Sequence, residues 1–399
     1  SERATVSLKT NKASKADRNA LVPSRADAGV SAAEKGFTSE VGDAVQFVKK
    51  RAYRIRAALA SATGQMPEPK AEEANNVAEH LLKLMQGTKS TYTELVDSAG
   101  AKYLAEADFI NAVPRDALAI DGPQDLALQF ARSKAGKAPG PSMLPPEVLM
   151  AAPAETAALM APLSIKATMN IFMPIQWQGA DGILIPKSNV GCLSDISNRR
   201  EISLAEVSAK SLTARLRQRL APAVREALVD SQHGSGFGSA TCPLAHVVVR
   251  TAQDYAKSRG LSAAALFIDI KAAFASTLRD LILPAYADNE FHVVALLRQK
   301  GFPHVEARAI VDEGQLTQAW GNTSPHLKHL VSSLSANQHL VLEYFAGVLN
   351  MQSGLMAGLS LADISFAIGI SRVTRKVRDR LQEEQLLWSV PCDAANALF

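Results

Sequence analysis

Apolar positions recur at helical spacing over some stretches of this chain and bunch into short continuous runs over others. Residues 71–86 (AEEANNVAEHLLKLMQ) suit a helix that Gly87 ends. Between 102 and 135 short helical patches are broken by Pro114 and by Gly122-Pro123. Residues 136–146 (GKAPGPSMLPP) form a loop that no helix could contain. Residues 182–187 (GILIPK) read as a short strand ending in a basic turn. Over 203–220, Ala205, Ala209, Leu212, Leu216 and Leu220 fall on one stripe of an amphipathic helix, with Arg215, Arg217 and Arg219 at its margins or beyond. Another helix, roughly 243–259, has Pro243 near its first turn and Gly260 where a C-cap glycine belongs. Six apolar residues, 263–268 (AAALFI), then lead to Asp269, as in a buried central strand whose acid sits where the strand leaves the sheet. Residues 276–283 begin a new helix, and a last long one covers about 361–385. Phe366, Ile370, Val373, Val377 and Leu381 make its apolar stripe, and Arg372, Arg375, Lys376, Arg378 and Arg380 load it with charge. Residues 1–35 show no apolar period and read as a disordered lead. Residues 37–62 begin to look helical, and their basic run Lys49-Lys50-Arg51 reads as a solvated face.

Composition narrows this picture. The 399 residues are too many for one ordinary core and fit two or three subdomains. Hydrophobic residues make up 47% and charged residues 21%, a globular composition, and no run of eighteen uncharged apolar residues suggests a membrane span. The opening residues carry no apolar signal core and no initiator Met, which suggests a fragment or a processed segment. A net charge of +4 permits a polyanionic partner without demanding one. Cys192, Cys242 and Cys392 are too widely spaced for a disulfide framework and point to a reducing compartment. His326 and His329 have helical spacing but no nearby Cys or carboxylate, so they read as part of a surface helix.

Asp269 is the residue with the most chemical content. A carboxylate after a buried strand is costly unless something pairs with it. Two-metal nucleotidyl transfer needs such carboxylates on rigid strands, and an Asp capping the next helix is the equally good structural alternative. The flanking residues separate the two. Phe267-Ile268-Asp269-Ile270-Lys271-Ala272-Ala273-Phe274, with Ser276 and Arg279, resembles the first catalytic motif of reverse transcriptases. Other blocks follow in the order of non-LTR (LINE-type) retroelements. Gly136 to Pro141, then Leu144-Pro145, resembles the loop that opens the polymerase region, with Ser142 where Asp is expected. Ile185-Pro186-Lys187 resembles the fingers strand and its lysine, and 199–204 (RREISL) the motif whose arginine contacts the incoming triphosphate. Gln232-His233-Gly234 with Phe237 and Thr241 resembles the segment leading into the palm. Residues 354–366 (GLMAGLSLADISF) resemble the GxRPGDxLADxLF motif, with Gly358 kept and Leu359 in place of its Asp. Ala275 is a further departure.

The resemblance covers about 130–385 and implies an α+β right-hand polymerase fold, fingers and partial palm, behind a mostly helical connector. The implied divisions are a disordered lead over 1–35, a connector over 36–125, fingers over 126–230 and partial palm over 231–399. It implies RNA-directed DNA polymerase activity with two Mg²⁺ ions in the intact parent, on an RNA template, a DNA primer and dNTP, inside the cell (nuclear or cytoplasmic) and away from membranes. Asp269 is then a metal ligand, Phe274 the sugar gate, and Lys187 with Arg199 or Arg200 the triphosphate grip, while Gly358 makes room near template and nucleotide. The family's second carboxylate pair is missing after Phe366, so the chain reads as truncated before it. Tyr286-Ala287-Asp288-Asn289 reads as a helix end and loop. Alternatives are an inactive relic that at most binds RNA or DNA, and, more distantly, a helical interaction scaffold. Lys187, Arg199 or Arg200, Asp269 and Phe274 are expected to line one groove, and the arginines of the 203–220 and 361–385 helices to bind phosphate.

Overall fold

The computed structural model describes residues 70–187, 194–229, 242–262, 269–270, 272–283, 290–316, 320–321 and 323–385. The chain divides into two compact units, Ser1–Ala57 and Ala58–Phe399, and every described residue lies in the second. It is an α+β unit with thirteen helices and one five-stranded mixed sheet among the described residues. In chain order these are α1 (Lys70–Met85), β1 (Thr88–Ser90), α2 (Tyr92–Ala105), α3 (Ala107–Ala112), α4 (Pro123–Ala131), α5 (Pro146–Ala151) and α6 (Pro153–Asn170). Then come α7 (Ile175–Gln178), β2 (Gly179–Pro186), β3 (Arg199–Ala205), α8 (Val207–Ala227), α9 (Cys242–Ser258), α10 (Glu290–Gln299) and α11 (His304–Leu316). The last are α12 (Pro325–Ala336), β4 (His339–Val341), β5 (Val348–Asn350) and α13 (Ala362–Glu383). No helix of the described residues is long and apolar enough to cross a membrane.

The sheet runs β1-β5-β4-β2-β3, so its strands come from the segments 36–125, 126–230 and 231–399 alike. β2 and β3 pair antiparallel from Ala180↔Ala205 to Pro186↔Arg199, β2 lies parallel to β4, and β4 and β1 are antiparallel to β5. α1 covers one sheet face. Its Val77, Ala78, Leu81 and Met85 form a core with Ala180, Ala205, Leu340 and Leu349. The helix closes at Gln86, which takes the left-handed conformation (φ 50°) one residue before the Gly87 that the sequence suggests, and glycine suits 87 because a Cβ there would stand 2.6 Å from the Asn350 carbonyl oxygen. α2 opens with a capping box in which the Thr91 hydroxyl accepts from the Glu94 amide and the Glu94 carboxylate from the Thr91 amide. A second core joins Leu212, Leu216 and Leu220 of α8 to Leu330, Val331 and Leu334 of α12 and Ile364 and Ile368 of α13.

Several expectations need correction. The helix expected from 203 begins at Val207, because Ser203 to Ala205 pair with Gly182 to Ala180 as strand. Ala209, Leu212, Leu216 and Leu220 are buried as expected, but Ala205 is buried as the end of β3. Arg215, Arg217 and Arg219 of α8 face the protein. Arg219 lies 2.6 Å and Arg215 3.5 Å from the fully buried Asp121, Arg215 also meets Asp125 at 2.7 Å, and Arg217 meets Asp363 at 2.7 Å. On α13 the buried face is Ala362, Ile364, Ser365, Ala367, Ile368 and Ser371, while Val373 and Val377 of the expected stripe are exposed. Arg372 donates to the Leu281 carbonyl and Arg375 to that of Ala227. Residues 276–283 hold only the single 3-10 turn Arg279–Leu281. His326 is fully buried, not on a surface. Its Nδ1 accepts from the Asp116 amide at 3.0 Å and its Nε2 donates to the Thr168 carbonyl at 2.8 Å, tying α12 to α6. The lead, the 37–62 helix, the 263–268 run, the Gln232 block with Phe237 and Thr241, the Tyr286 block, Cys192 and Cys392 lie outside the described residues.

Candidate functional site

The β2–β3 hairpin builds the first part of the site. Its register sets Arg200 opposite Ile185 and Arg199 opposite Pro186. Beyond the last pair the Lys187 amide donates to the Asn198 carbonyl and its ammonium to that of Ser197, both at 2.9 Å. Lys187, Arg199 and Arg200 therefore share one end of the sheet. Side chains alternate along a strand, so the two arginines sit on opposite faces. Arg199 shares a face with Glu201 and Ser203 and is half-buried, whereas Arg200 is exposed beside the exposed Ile183 and Ile185. At the same end the Ser197 amide, through its hydrogen bond, holds the Asp195 carboxyl below its usual range, with smaller help from His80 and Lys187.

β3 is an edge strand, and three glycine contacts tie the sequence blocks together, two of them on β3. A Cβ on Gly140 would stand 2.6 Å from the backbone of Ala205 and Glu206. One on Gly358 would stand 2.5 Å from the Ser203 carbonyl oxygen, and the Ala357 carbonyl accepts from the Ser203 amide at 3.0 Å. One on Gly354 would stand 2.7 Å from the Ala275 carbonyl oxygen. The Gly354 and Leu355 amides donate at 2.8 Å to the Thr277 and Phe274 carbonyls. The 354–359 loop thus bridges the Phe274 turn and β3. The Phe274 ring packs on Phe366 of α13, with ring centres 5.2 Å apart.

The departures from the family pattern are accommodated locally. Ser142 donates from its amide (3.1 Å) and its hydroxyl (2.8 Å) to the buried Glu206 carboxylate, which also accepts from the Val207 amide. An aspartate at 142 would face that carboxylate. Leu359 packs against the apolar core over the sheet, and Ala275 is buried within it. Burial pushes the Glu201 carboxyl up to about 7, opposed by a hydrogen bond from the Ser203 hydroxyl. Burial, and then the nearby Glu206 charge, raises Asp181. Burial lowers Lys210, and the attraction of Glu206 opposes this.

Asp269 is exposed and lies outside regular structure. Among the described residues no group of three His, Cys, Asp or Glu side chains is placed to hold a metal ion. The described residues therefore do not assemble a two-Mg²⁺ centre, and no step of nucleotidyl transfer follows from them. Arg279, which sequence reading tied to the Asp269 block, is buried. It donates to the Ser335 carbonyl (3.0 Å), the Gln338 side-chain oxygen (2.9 Å) and the Met351 carbonyl, fastening the turn after Phe274 to the start of β4 and the end of β5. Sequence reasoning missed Glu201 and Glu206. Their only linear signal is an acid on either side of an apolar strand, which carries no meaning until the pairing is known. No known family model matches this chain, and no curated protein matches its sequence.

Proposed function

We propose that this chain carries the fingers and part of the palm of a reverse transcriptase of the non-LTR retroelement type, which in its intact parent transfers dNMP to a primer 3′-OH on an RNA template. The observation that carries the reading is the set of glycine contacts. Gly140, Gly354 and Gly358 were picked out by order along the chain alone, yet each lies against the backbone of another block. Packing that close favours glycine at each point and ties the Gly140 and Gly358 blocks directly to β3, the strand of the Arg199 block. Lys187 and Arg200, at the hairpin end, are the cations available to a triphosphate or template phosphate. A guanidinium grips phosphate oxygens in a fork and stays charged, and Arg200 is the more exposed of the two arginines.

The relic reading keeps one supporting observation: Leu359 is apolar and packed where the family pattern carries Asp, and Ala275 is buried where it often carries Asp or Tyr. Binding through the hairpin tests the first reading, since the relic would hold nucleic acid, if at all, through its basic helices. Anisotropy of a labelled RNA-template/DNA-primer duplex with residues 1–399 should show salt-dependent affinity. Lys187→Ala/Arg200→Ala should weaken it about tenfold and lower the slope of log affinity on log salt by about two. Unchanged affinity and slope in that double variant would overturn the reading.

A further inference from the structure

The side of the sheet toward which β2 runs carries a second group of cations, built from other elements. β2 and β4 run parallel with Asp181 beside Val341, so the 342–347 turn leaves the sheet in the direction of Lys187, which lies six residues, about 20 Å, further along β2. Ser90, the last residue of β1, pairs with Val348 on that side too. There Lys70 Nζ lies 3.3 Å from the Tyr344 hydroxyl and 4.8 Å from the centre of its ring, and Lys89 Nζ lies 4.7 Å over Phe345. Both lysines are exposed, and the Tyr344 ring is still 51% exposed with Lys70 against it. Tyr344 holds this position at φ 64°, a left-handed conformation that bulky residues rarely adopt and that glycine adopts freely. Glu343 is the acid within the turn. About 19 Å across the five strands and about a further 20 Å along β2 separate β1 from the hairpin tip at Lys187, a span of several nucleotides.

We propose that the 342–347 turn, with Lys70 and Lys89, is a docking patch for single-stranded nucleic acid: a base stacks on Tyr344 and the two ammonium groups hold the flanking phosphates. An aromatic face beside paired cations is the chemistry by which single strands are held without sequence preference. An acidic peptide would use the cations and leave the ring idle. The reading above enters only in naming the strand as the template running on toward Lys187.

The test is anisotropy of a short labelled single-stranded RNA with residues 1–399 at low salt. Tyr344→Gly should weaken binding about tenfold while the melting temperature holds or rises, since glycine relieves the left-handed backbone. Tyr344→Phe should keep affinity within about twofold, because the ring remains. Lys70→Ala/Lys89→Ala should lower the salt slope by about two. Wild-type affinity in Tyr344→Gly overturns the proposal, as does RNA displacement by a polyglutamate peptide whose own binding needs Tyr344. Lys187→Ala/Arg200→Ala keeps the two ideas apart. Loss there with Tyr344→Gly intact removes the patch and leaves the hairpin reading standing, and the reverse removes the hairpin reading and leaves the patch. No RNA binding by the wild type overturns both.

Discussion

Gly358 stands at φ 111°, and a Cβ there would lie 2.5 Å from the backbone oxygen of Ser203, so both its own conformation and its neighbour exclude a side chain. Gly358→Ala should cost about 2 kcal/mol in chemical denaturation, mainly by parting the 354–359 loop from β3. Gly100 is the contrast. It lies inside α2 with nothing within 4 Å of its Cβ position, and Gly100→Ala should stabilise by about 0.5–1 kcal/mol. Glu201 gives a pH signature. Its folded value of about 7 lies above the ordinary 4.5, so the fold favours the protonated acid. The resulting penalty is absent below about pH 4.5, grows through the interval and is complete above pH 7. Glu201→Gln should therefore raise stability at pH 8, by about 3 kcal/mol as a ceiling, and change it little at pH 4. Equal gains at both pH values would show that the carboxyl is not held protonated.

At the scale of elements, α8 shows how a basic helix serves the fold. Arg215 and Arg219 converge on Asp121, which is fully buried, and join α8 to the segment before α4. Removing one partner of such a set strands a charge. Arg219→Met should cost about 3 kcal/mol, and adding Asp121→Asn should recover part of it. Arg217 is held by Asp363 across to α13, so Arg217→Ala should leave nucleic-acid affinity within about twofold of wild type, against the phosphate role its spacing suggested. A clear loss of affinity there would show that the pair opens to take phosphate. α13 makes the same point for apolar residues. Its expected stripe ends in the exposed Val373 and Val377, while its packed face uses the small Ala362, Ser365, Ala367 and Ser371 with Ile364 and Ile368. Small residues allow close helix approach, and a hydrophobic count alone passes over them.

At the scale of the molecule, the sheet draws together residues 88 and 350, and its hairpin tip gathers Lys187, Arg199 and Arg200. Asp269 is exposed, and the described residues hold no metal-binding group of three. Each divalent ion needs several oxygen ligands, and a pair needs bridging carboxylate. With Asp269 the one carboxylate that the resemblance assigns to metal, we predict that residues 1–399 give no primer extension with Mg²⁺ or Mn²⁺. In a longer chain that carries a second carboxylate strand, Asp269→Asn should abolish extension with little loss of folding. Extension by residues 1–399 alone, or an active Asp269→Asn variant, would show that the catalytic centre lies elsewhere.

Local pattern by itself determined where the chain turns and which faces of its helices are apolar. Gly260 ends a helix, 136–145 is a loop, 182–186 is strand, and Leu212, Leu216 and Leu220 line a buried stripe, because each follows from backbone permissiveness or periodicity within a few residues. The ordered blocks marked Lys187, Arg199 or Arg200, Asp269, Phe274 and Gly358 for one site through a resemblance that needs no coordinates. Tertiary pairing alone decided that Ser203 to Ala205 are strand, that Glu201 is half-buried and Arg200 exposed, that Ser142 answers Glu206, and that Arg215, Arg217 and Arg219 of α8 look inward. These outcomes depend on partners from 15 positions away (Arg200 and Ile185) to 146 (Arg217 and Asp363), and whether a charge is solvated, paired or stranded is a property of what surrounds it.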